Sequence, residues 1–392
     1  MHPVIDTTGF GTGEQTPRSV ARAEEARRRV VAYLARSGLP ALCLTTPGSV
    51  AWATGGFGPP VDRGAPSADA WAVVTESSAT LVTTVVERDR VLTDYDPARH
   101  GFGLVAVDWH DPAALPAGCA EVAGLAPGAL ASDGHPALGP DVGPEVVGLR
   151  LALGAGEEAE LRELGALAAG ALGDALAAWR PGQSTDREIQ GHVAGMLERS
   201  GADSPVLIVG ADDRVRRLRH PVAVGEVAHE LVMAVVVARR LGLHVAVTRF
   251  AATRAAADGL RRSFEGVEAI EDAVLAATVP GATYVDVVRA LGDAYARAGA
   301  PGAWREHYQG GPIGFAQREF EIAPDGPYGP YGTTVVGWGN AVAWNPSLAG
   351  GAKCEDTYLV GTDGLERVTE QEGWPTRAGS PVGTRPAMLV VG

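Results

Sequence analysis

Arg219–Phe250 reads RHPVAVGEVAHELVMAVVVARRLGLHVAVTRF. Two apolar runs rich in β-branched residues, LVMAVVVAR and LHVAVTRF, flank the break Arg240-Leu241-Gly242, and this predicts a hairpin of two buried strands. Another strand, PVLIVG from Pro205, precedes them. Further upstream, GEEAELRELGALAAGALGDALAAW predicts a long helix with its acids in the first turn, where the macrodipole favours them. It stops at Arg180-Pro181-Gly182, and Thr185 and Glu188 make a capping box for a second helix ending near Ser200-Gly201. Two helices followed by strands then recur. WRPGQSTDREIQGHVAGMLERSGA from Trp179 resembles TVPGATYVDVVRALGDAYARAGA from Thr278, with the Pro-Gly pairs 99 residues apart. Either capped helices simply look alike, or two αβ halves of a duplicated domain supply strands to one central sheet, the second through GTTVVGW and NAVAWN.

Toward the N-terminus, residues 1–18 are rich in Gly, Thr and Pro and are expected to form a flexible arm. A helix is predicted over 19–37, burying Val30, Val31, Leu34 and Ala35. Strand-length runs start at Ala41, Ala70 and Thr80, so 19–150 reads as an α/β domain closed by the Pro/Gly-rich stretch from Leu130. A second domain spans 151–370 and a loose tail 371–392. The fold class is α/β (α+β).

The 392 residues include 33 basic and 47 acidic side chains, for a net charge of −14, which argues against a nucleic-acid partner. Lys353 is the single lysine among them, and the arginine excess fits a GC-rich coding bias. Three cysteines without C-x-x-C spacing fit a reducing, cytoplasmic setting, and the absence of a long apolar run argues against a membrane span. Gly-rich strings such as GFGTG at Gly9 lack the strand–turn–helix context of a dinucleotide site, and no G-x-S-x-G, H-E-x-x-H or P-loop occurs.

Four ordered strings carry a resemblance. GSVAWATGGF from Gly48 resembles the N-x-x-Y-L-T-G-F segment of creatinase-type N-terminal domains, and the Arg219–Phe250 stretch resembles the run from a catalytic histidine through two metal-binding aspartates to a T-R pair. HYQGGPIGFAQRE from His307 resembles an H-G-x-G-x-x-x-H-E segment, and AWNPSLAGGAKCEDTYLVGTDGLERVT from Ala343 an E-P…E-D-T ending. Over about residues 20–370 the chain thus resembles the pita-bread superfamily of creatinase, prolidase and aminopeptidase P. That implies a creatinase-like N-terminal domain, a duplicated catalytic domain, and a homodimer in which the N-terminal domain of one subunit lies near its partner's site.

The hydrolytic metallopeptidases of this fold hold two metal ions with two Asp, one His and two Glu, hard donors suited to such ions. Anchored on Thr248-Arg249, the aspartate positions fall on Val235 and Ala246, eleven residues apart as the pattern requires. The ligand histidine falls on Gly311, the second histidine on Arg318, and the first glutamate on Asn345; Glu355 alone keeps a ligand type. No metal and no other cofactor is therefore expected. Creatinase cleaves a C–N bond without metal, and His220 matches its proton-transfer histidine. Taken alone, His220 also reads as a surface-loop residue before a proline. Beside it, Glu355 and His307, which is not the family's own histidine, are further catalytic candidates, and Tyr308, Gln309, Asn345, Arg249, Glu319 and Trp338 substrate-binding ones, the amides of Gln309 and Asn345 being suited to a polar zwitterion. His307 equally fits a structural hydrogen bond, Glu319 a salt bridge to Arg318, and Trp338 and Trp344 a pocket wall or plain core. His229 and His244 are expected to be solvated, and Cys354 inert.

The expected function is metal-independent acid–base cleavage, by C–N hydrolysis or elimination, of a small amino-acid-like or amide-containing molecule. The alternative is an inactive pita-bread protein that binds a peptide or metabolite; an Xaa-Pro metallopeptidase is disfavoured by the ligand positions.

Overall fold

The computed structural model describes residues 15–57 and 61–391. The described residues divide into two compact units, the first within 15–150 together with 154–157 and 241–243, the second within 151–153, 158–240 and 244–391. The expected arm lies outside the described residues up to position 14, and from Gln15 onward the chain is already helical.

In the first unit, α1 (Gln15–Ser37) buries Ala23, Ala26, Val30 and Leu34, one stripe at three- and four-residue spacing. Ala35, expected inside, is exposed because it lies off that stripe. The strands β1 (Ala41–Leu44), β2 (Ala70–Thr75), β3 (Ala79–Thr84), β4 (Gly103–Val107) and β5 (Ala131–Ser132) form a mixed sheet in the order β4-β3-β2-β1-β5. The GSVAWA string is helical, as α2 (Pro47–Ala53), with Thr46 as its cap. Asp133 takes two hydrogen bonds each from Thr45 and Thr46, which ties the end of β1 to the loop after β5. The single turn α3 (Arg88–Arg90), α4 (Ala114–Val122) and α5 (Gly143–Arg150) complete the unit.

The second unit repeats one plan twice. In the first half, α6 (Ala155–Ala178) and α7 (Asp186–Arg199) precede β6 (Asp203–Ala211), α8 (Asp212–Arg217), β7 (Leu231–Arg240) and β8 (Leu243–Thr253). In the second, α9 (Arg254–Ala277) and α10 (Tyr284–Arg297) precede β9 (Gly310–Ile313), β10 (Ala341–Trp344), β11 (Asp356–Gly361) and β12 (Gly364–Arg367). The duplication reaches individual hydrogen bonds. Gly182 N–H donates to Ala228 and Asp186 N–H to Glu226; in the second copy Gly281 donates to Val336 and Tyr284 to Thr334, all at 2.8–3.0 Å. Thr185 and Thr283 cap the two equivalent helices.

The halves do not share one hydrogen-bonded sheet, as the repeat had suggested. They form two four-stranded sheets: β8-β7-β6 extended by one C-terminal edge strand beside β8, and β12-β11-β10-β9. Where the two meet, a side chain replaces the backbone ladder: Thr357 Oγ1 accepts from Ala246 N–H at 2.8 Å and donates to Ala246 C=O at 2.9 Å. Thr248 N–H donates to the Glu355 carbonyl beside it. GTTVVGW is not a strand; Val335 makes a single bridge to the cap residue Thr283.

The C-terminal segment is not loose. β13 (Thr376–Ser380) and β14 (Gly383–Pro386) form a hairpin, and β15 (Leu389–Val391) joins the edge of β8 in parallel. Arg385 anchors the segment through a buried ion pair with Glu271 and a half-buried one with Asp272 on α9, long-range contacts that its polar sequence does not advertise. Among the described residues no helix is long and apolar enough to cross a membrane.

Candidate active site

Val235, Ala246, Gly311, Arg318, Asn345 and Glu355 all line one cavity of about 580 Å³ in the second unit. The motif alignment assigns the five metal ligands to Val235, Ala246, Gly311, Asn345 and Glu355, and its second histidine to Arg318. Each is delivered by a different part of the duplicated plan. Val235 lies on β7 opposite Ile208 of β6, and Ala246 lies on β8. Gly311 on β9 pairs with Ala343 on β10, while Asn345 and Glu355 sit at the end of β10 and just before β11. Gly311 holds φ at +148°, a backbone that side-chain-bearing residues rarely adopt, so this position suits glycine rather than histidine.

The donor set does not fit a two-metal centre. Val235 and Ala246 present hydrocarbon, Gly311 presents no side chain, and Arg318 presents a cation. Val235 also packs in a core cluster with Ile208, Met233 and Phe250, where a buried valine contributes about 1.5–3 kcal/mol. Among the described residues, no group of three or more His, Cys, Asp or Glu side chains is placed to hold a metal ion.

The remaining carboxylate already has a cation. Lys353 Nζ lies 3.0 Å from Glu355 Oε2, with both side chains almost fully buried. Thr248 Oγ1 donates to the same oxygen at 2.6 Å, and Asn345 Nδ2 donates to Oε1 at 3.2 Å. Burial pushes the Glu355 carboxyl up, but Lys353 and the Thr248 hydroxyl outweigh it and hold the group below its ordinary value. A divalent ion at Glu355 would face an ammonium group already in contact with the carboxylate.

His220 follows α8 on an exposed loop and lines both this cavity and an adjoining one of about 560 Å³. Pro221 seats the loop against Gly210, where a Cβ would lie 2.5 Å from the proline ring. Burial, Lys353 and Arg318 lower the His220 pKa, leaving the imidazole neutral near pH 7 and able to accept a proton. Its ring centroid is 5.1 Å from that of His307, which lines only the adjoining cavity.

The nitrogens of the buried His307 ring have no hydrogen-bond partner, and burial, followed by the Lys353 charge, pushes its pKa down to about 3. Because this lies below the ordinary value of 6.5, the unfolded chain takes up the proton first as pH falls. The resulting contribution to stability is complete above pH 6.5 and is lost toward pH 3, by up to about 1.4 kcal/mol per pH unit. Urea unfolding of His307→Gln across that range should show a correspondingly shallower acid slope. A slope equal to that of the parent would contradict the buried neutral ring.

The other candidate residues separate clearly. Tyr308 is 60% exposed, lines both cavities and lies under Arg318, whose guanidinium carbon is 5.4 Å from the ring centre. Gln309 has its polar groups engaged within the protein: its amide donates to the Trp304 and His307 carbonyls and accepts from Tyr295 Oη, so it shapes the turn carrying His307. Arg249 is buried against Asp356 and the Thr248 and Thr369 carbonyls, where it braces β8 against β11 instead of reaching the cavity. Glu319 lines neither cavity and accepts from Ala316 N–H, while Arg318 pairs with Glu321. Trp338 is 65% exposed and lines neither cavity; Trp344 is core, donating to Thr278. His244 is buried and bonded to the Gly314 carbonyl instead of solvated, whereas His229 is exposed. The Cys354 thiol is raised well above its ordinary pKa, by burial first, which makes it a poor nucleophile.

Sequence reasoning missed Lys353 as a site residue. Its one signal was being the single lysine in a chain that otherwise uses arginine.

Several solved structures share this architecture. Dipeptidase PepE from Mycobacterium ulcerans is 20% identical, with a TM-score of 0.71 over 97% of this chain and 99% of that one. An Xaa-Pro dipeptidase from Bacillus anthracis is 19% identical, with a TM-score of 0.69 over 94% and 100%. The N-terminal domain of the FACT complex subunit SPT16 from Eremothecium gossypii is 11% identical, with a TM-score of 0.62 over 90% and 96%. At these identities the likeness speaks for the fold alone. No curated protein sequence matches the chain. The profile of metallopeptidase family M24 matches residues 159–362, more than half of the chain, and the protein therefore belongs to that family, within the pita-bread superfamily of creatinase and prolidase.

Proposed function

We propose that this protein is a metal-independent enzyme that cleaves a C–N bond by acid–base catalysis, with His220 transferring the proton and Lys353 standing where its relatives place metal charge. The observation that carries this reading is the Lys353–Glu355 pair, in the cavity that gathers all five ligand positions and is bordered by His220. In a hydrolytic turnover, neutral His220 removes a proton from water as its oxygen attacks the amide carbon. The oxyanion that forms gains a charge-assisted hydrogen bond from Lys353. The imidazolium then gives its proton to the leaving nitrogen as the C–N bond breaks, so that amide and water become acid and amine. Elimination would use the same imidazole to remove a carbon-bound proton, with the nitrogen leaving. The relatives named as dipeptidases support a hydrolase at the coarse level.

Metal analysis of the purified protein should find no stoichiometric Mn, Co, Fe or Zn, and dialysis against a chelator should change neither turnover nor melting temperature. Two tightly bound equivalents would refute the reading. A binding-only protein is favoured by Val235 and Ala246, which close the aspartate positions with hydrocarbon. It would be supported by a ligand that saturates the cavity and is recovered unchanged.

The resemblance to creatinase also supports a homodimer, and the sparse cysteines support a cytoplasmic setting. Light scattering should return twice the chain mass; an active monomer would contradict the dimer.

A further inference from the structure

Four charged side chains line the ligand-position cavity, and they form two compensated pairs. Lys353 pairs with Glu355 at 3.0 Å, and Arg318 with Glu321 at 2.8 Å. Neither pair leaves a net charge for a ligand's carboxylate or ammonium group to meet. Bringing such a group into the cavity would strip it of water without supplying a dedicated counter-ion, a costly exchange.

The rest of the wall is largely hydrocarbon. Val206, Ile208, Val235, Val237, Ala246 and Ala343 all face the cavity. Two of them occupy aspartate positions of the motif, so apolar surface replaces acid where the relatives' pattern concentrates charge.

Among the polar side chains that line this cavity, Asn345 holds the buried atom without a protein partner. Asn345 is 6% exposed and lines the cavity, and its Nδ2 donates to Glu355 Oε1. A carboxylate can only accept, so the amide must turn its NH₂ toward Glu355 and leave Oδ1 pointing away. Oδ1 is buried and has no partner. A buried acceptor without a protein partner is a place for a donor, and a ligand N–H that reached it would satisfy it.

From this we propose that the cavity takes a neutral secondary amide with an aliphatic body, its N–H bound by Asn345 Oδ1 and its apolar part against the valine wall, in preference to a zwitterion. Resting on the functional reading above, this names the substrate class of the same site and replaces the amino-acid-like option with the amide one. Asn345 is then a specificity residue, and its use as an acceptor follows from the constraint that Glu355 places on its orientation.

Calorimetric titration of the full chain tests the idea without needing turnover. The probes are N-acetyl-leucine N-methylamide, which is neutral, and leucyl-glycine, a zwitterion with the same side chain. The neutral amide should bind at least about tenfold more tightly, a difference of about 1.4 kcal/mol. Asn345→Leu should remove about tenfold or more of that affinity. If circular dichroism shows that Asn345→Leu is unfolded, Val235→Asp supplies the second test, since it restores an acid to the wall and should reverse the preference. Equal or tighter binding of leucyl-glycine, no binding of either probe at millimolar concentration, or unchanged affinity in a folded Asn345→Leu would each overturn the proposal. Tight binding of the neutral amide without cleavage would leave this inference standing and count against the catalytic reading. His220-dependent cleavage of leucyl-glycine, with tighter binding of that zwitterion, would do the reverse.

Discussion

His220→Asn is expected to lower turnover by about 10²–10⁴, the usual scale for a lost general acid–base group, while leaving substrate affinity and fold intact. Asparagine fills similar space and still hydrogen-bonds, so a loss of this size could not be assigned to a cavity. The loop itself is held by Pro221 against Gly210, which the substitution does not touch. The effect should fall on kcat with little change in KM, because His220 acts in the transition state and not in ground-state binding. Rapid-quench or steady-state assays on the two proteins decide it. Normal turnover in His220→Asn together with a dead His307→Asn would move the proton transfer to His307.

Lys353→Met is expected to destabilise the folded protein by about 3–5 kcal/mol, the scale for removing one partner of a buried ion pair. The cost arises because Glu355 stays behind, buried, with only Thr248 and Asn345 as donors. The sign of the pH dependence should change as well. In the parent, the Glu355 carboxyl lies below its ordinary value, so its contribution is present above pH 4.5 and lost as pH falls. Without Lys353, burial, the largest influence on Glu355, is left to push the carboxyl up. Stability from this group would then be present at low pH and lost as pH rises. Denaturant unfolding at several pH values reads both effects. The double variant Lys353→Met/Glu355→Gln should regain most of the loss, because it removes the charge that was left alone. A single variant as stable as the parent at neutral pH would contradict a working ion pair.

The fold was legible because its signals are local and repeat. The capping pattern at Thr185 recurs at Thr283, and the apolar runs around Leu241-Gly242 announce a hairpin whose turn residues both have positive φ. The positions that converge in the cavity were also legible, since the eleven-residue spacing from Val235 to Ala246 and the Thr248-Arg249 anchor set their register. Roles were less legible. Gln309, Arg249 and Trp338 looked equally suited to a ligand, yet one is engaged by Tyr295 and two carbonyls, one braces two strands, and one faces solvent. Composition does not encode such partners, which for Arg249 lie up to 120 residues away in the chain.

By itself, the sequence determined the α/β class, the capped helices that recur at Thr185 and Thr283, the paired strands around Leu241-Gly242, and the presence of Val235 and Ala246 where the resemblance places acids. Short-range hydrogen bonding and the periodicity of apolar residues are written into neighbouring positions, so they can be read one segment at a time. Only the tertiary structure decided that Lys353 pairs with Glu355, that Asn345 must leave an oxygen unbonded within the protein, and that residues 376–391 form a hairpin and an edge strand beside β8. The electrostatic state of a buried group depends on which charges and donors surround it at a few ångströms, and folding alone brings those neighbours together.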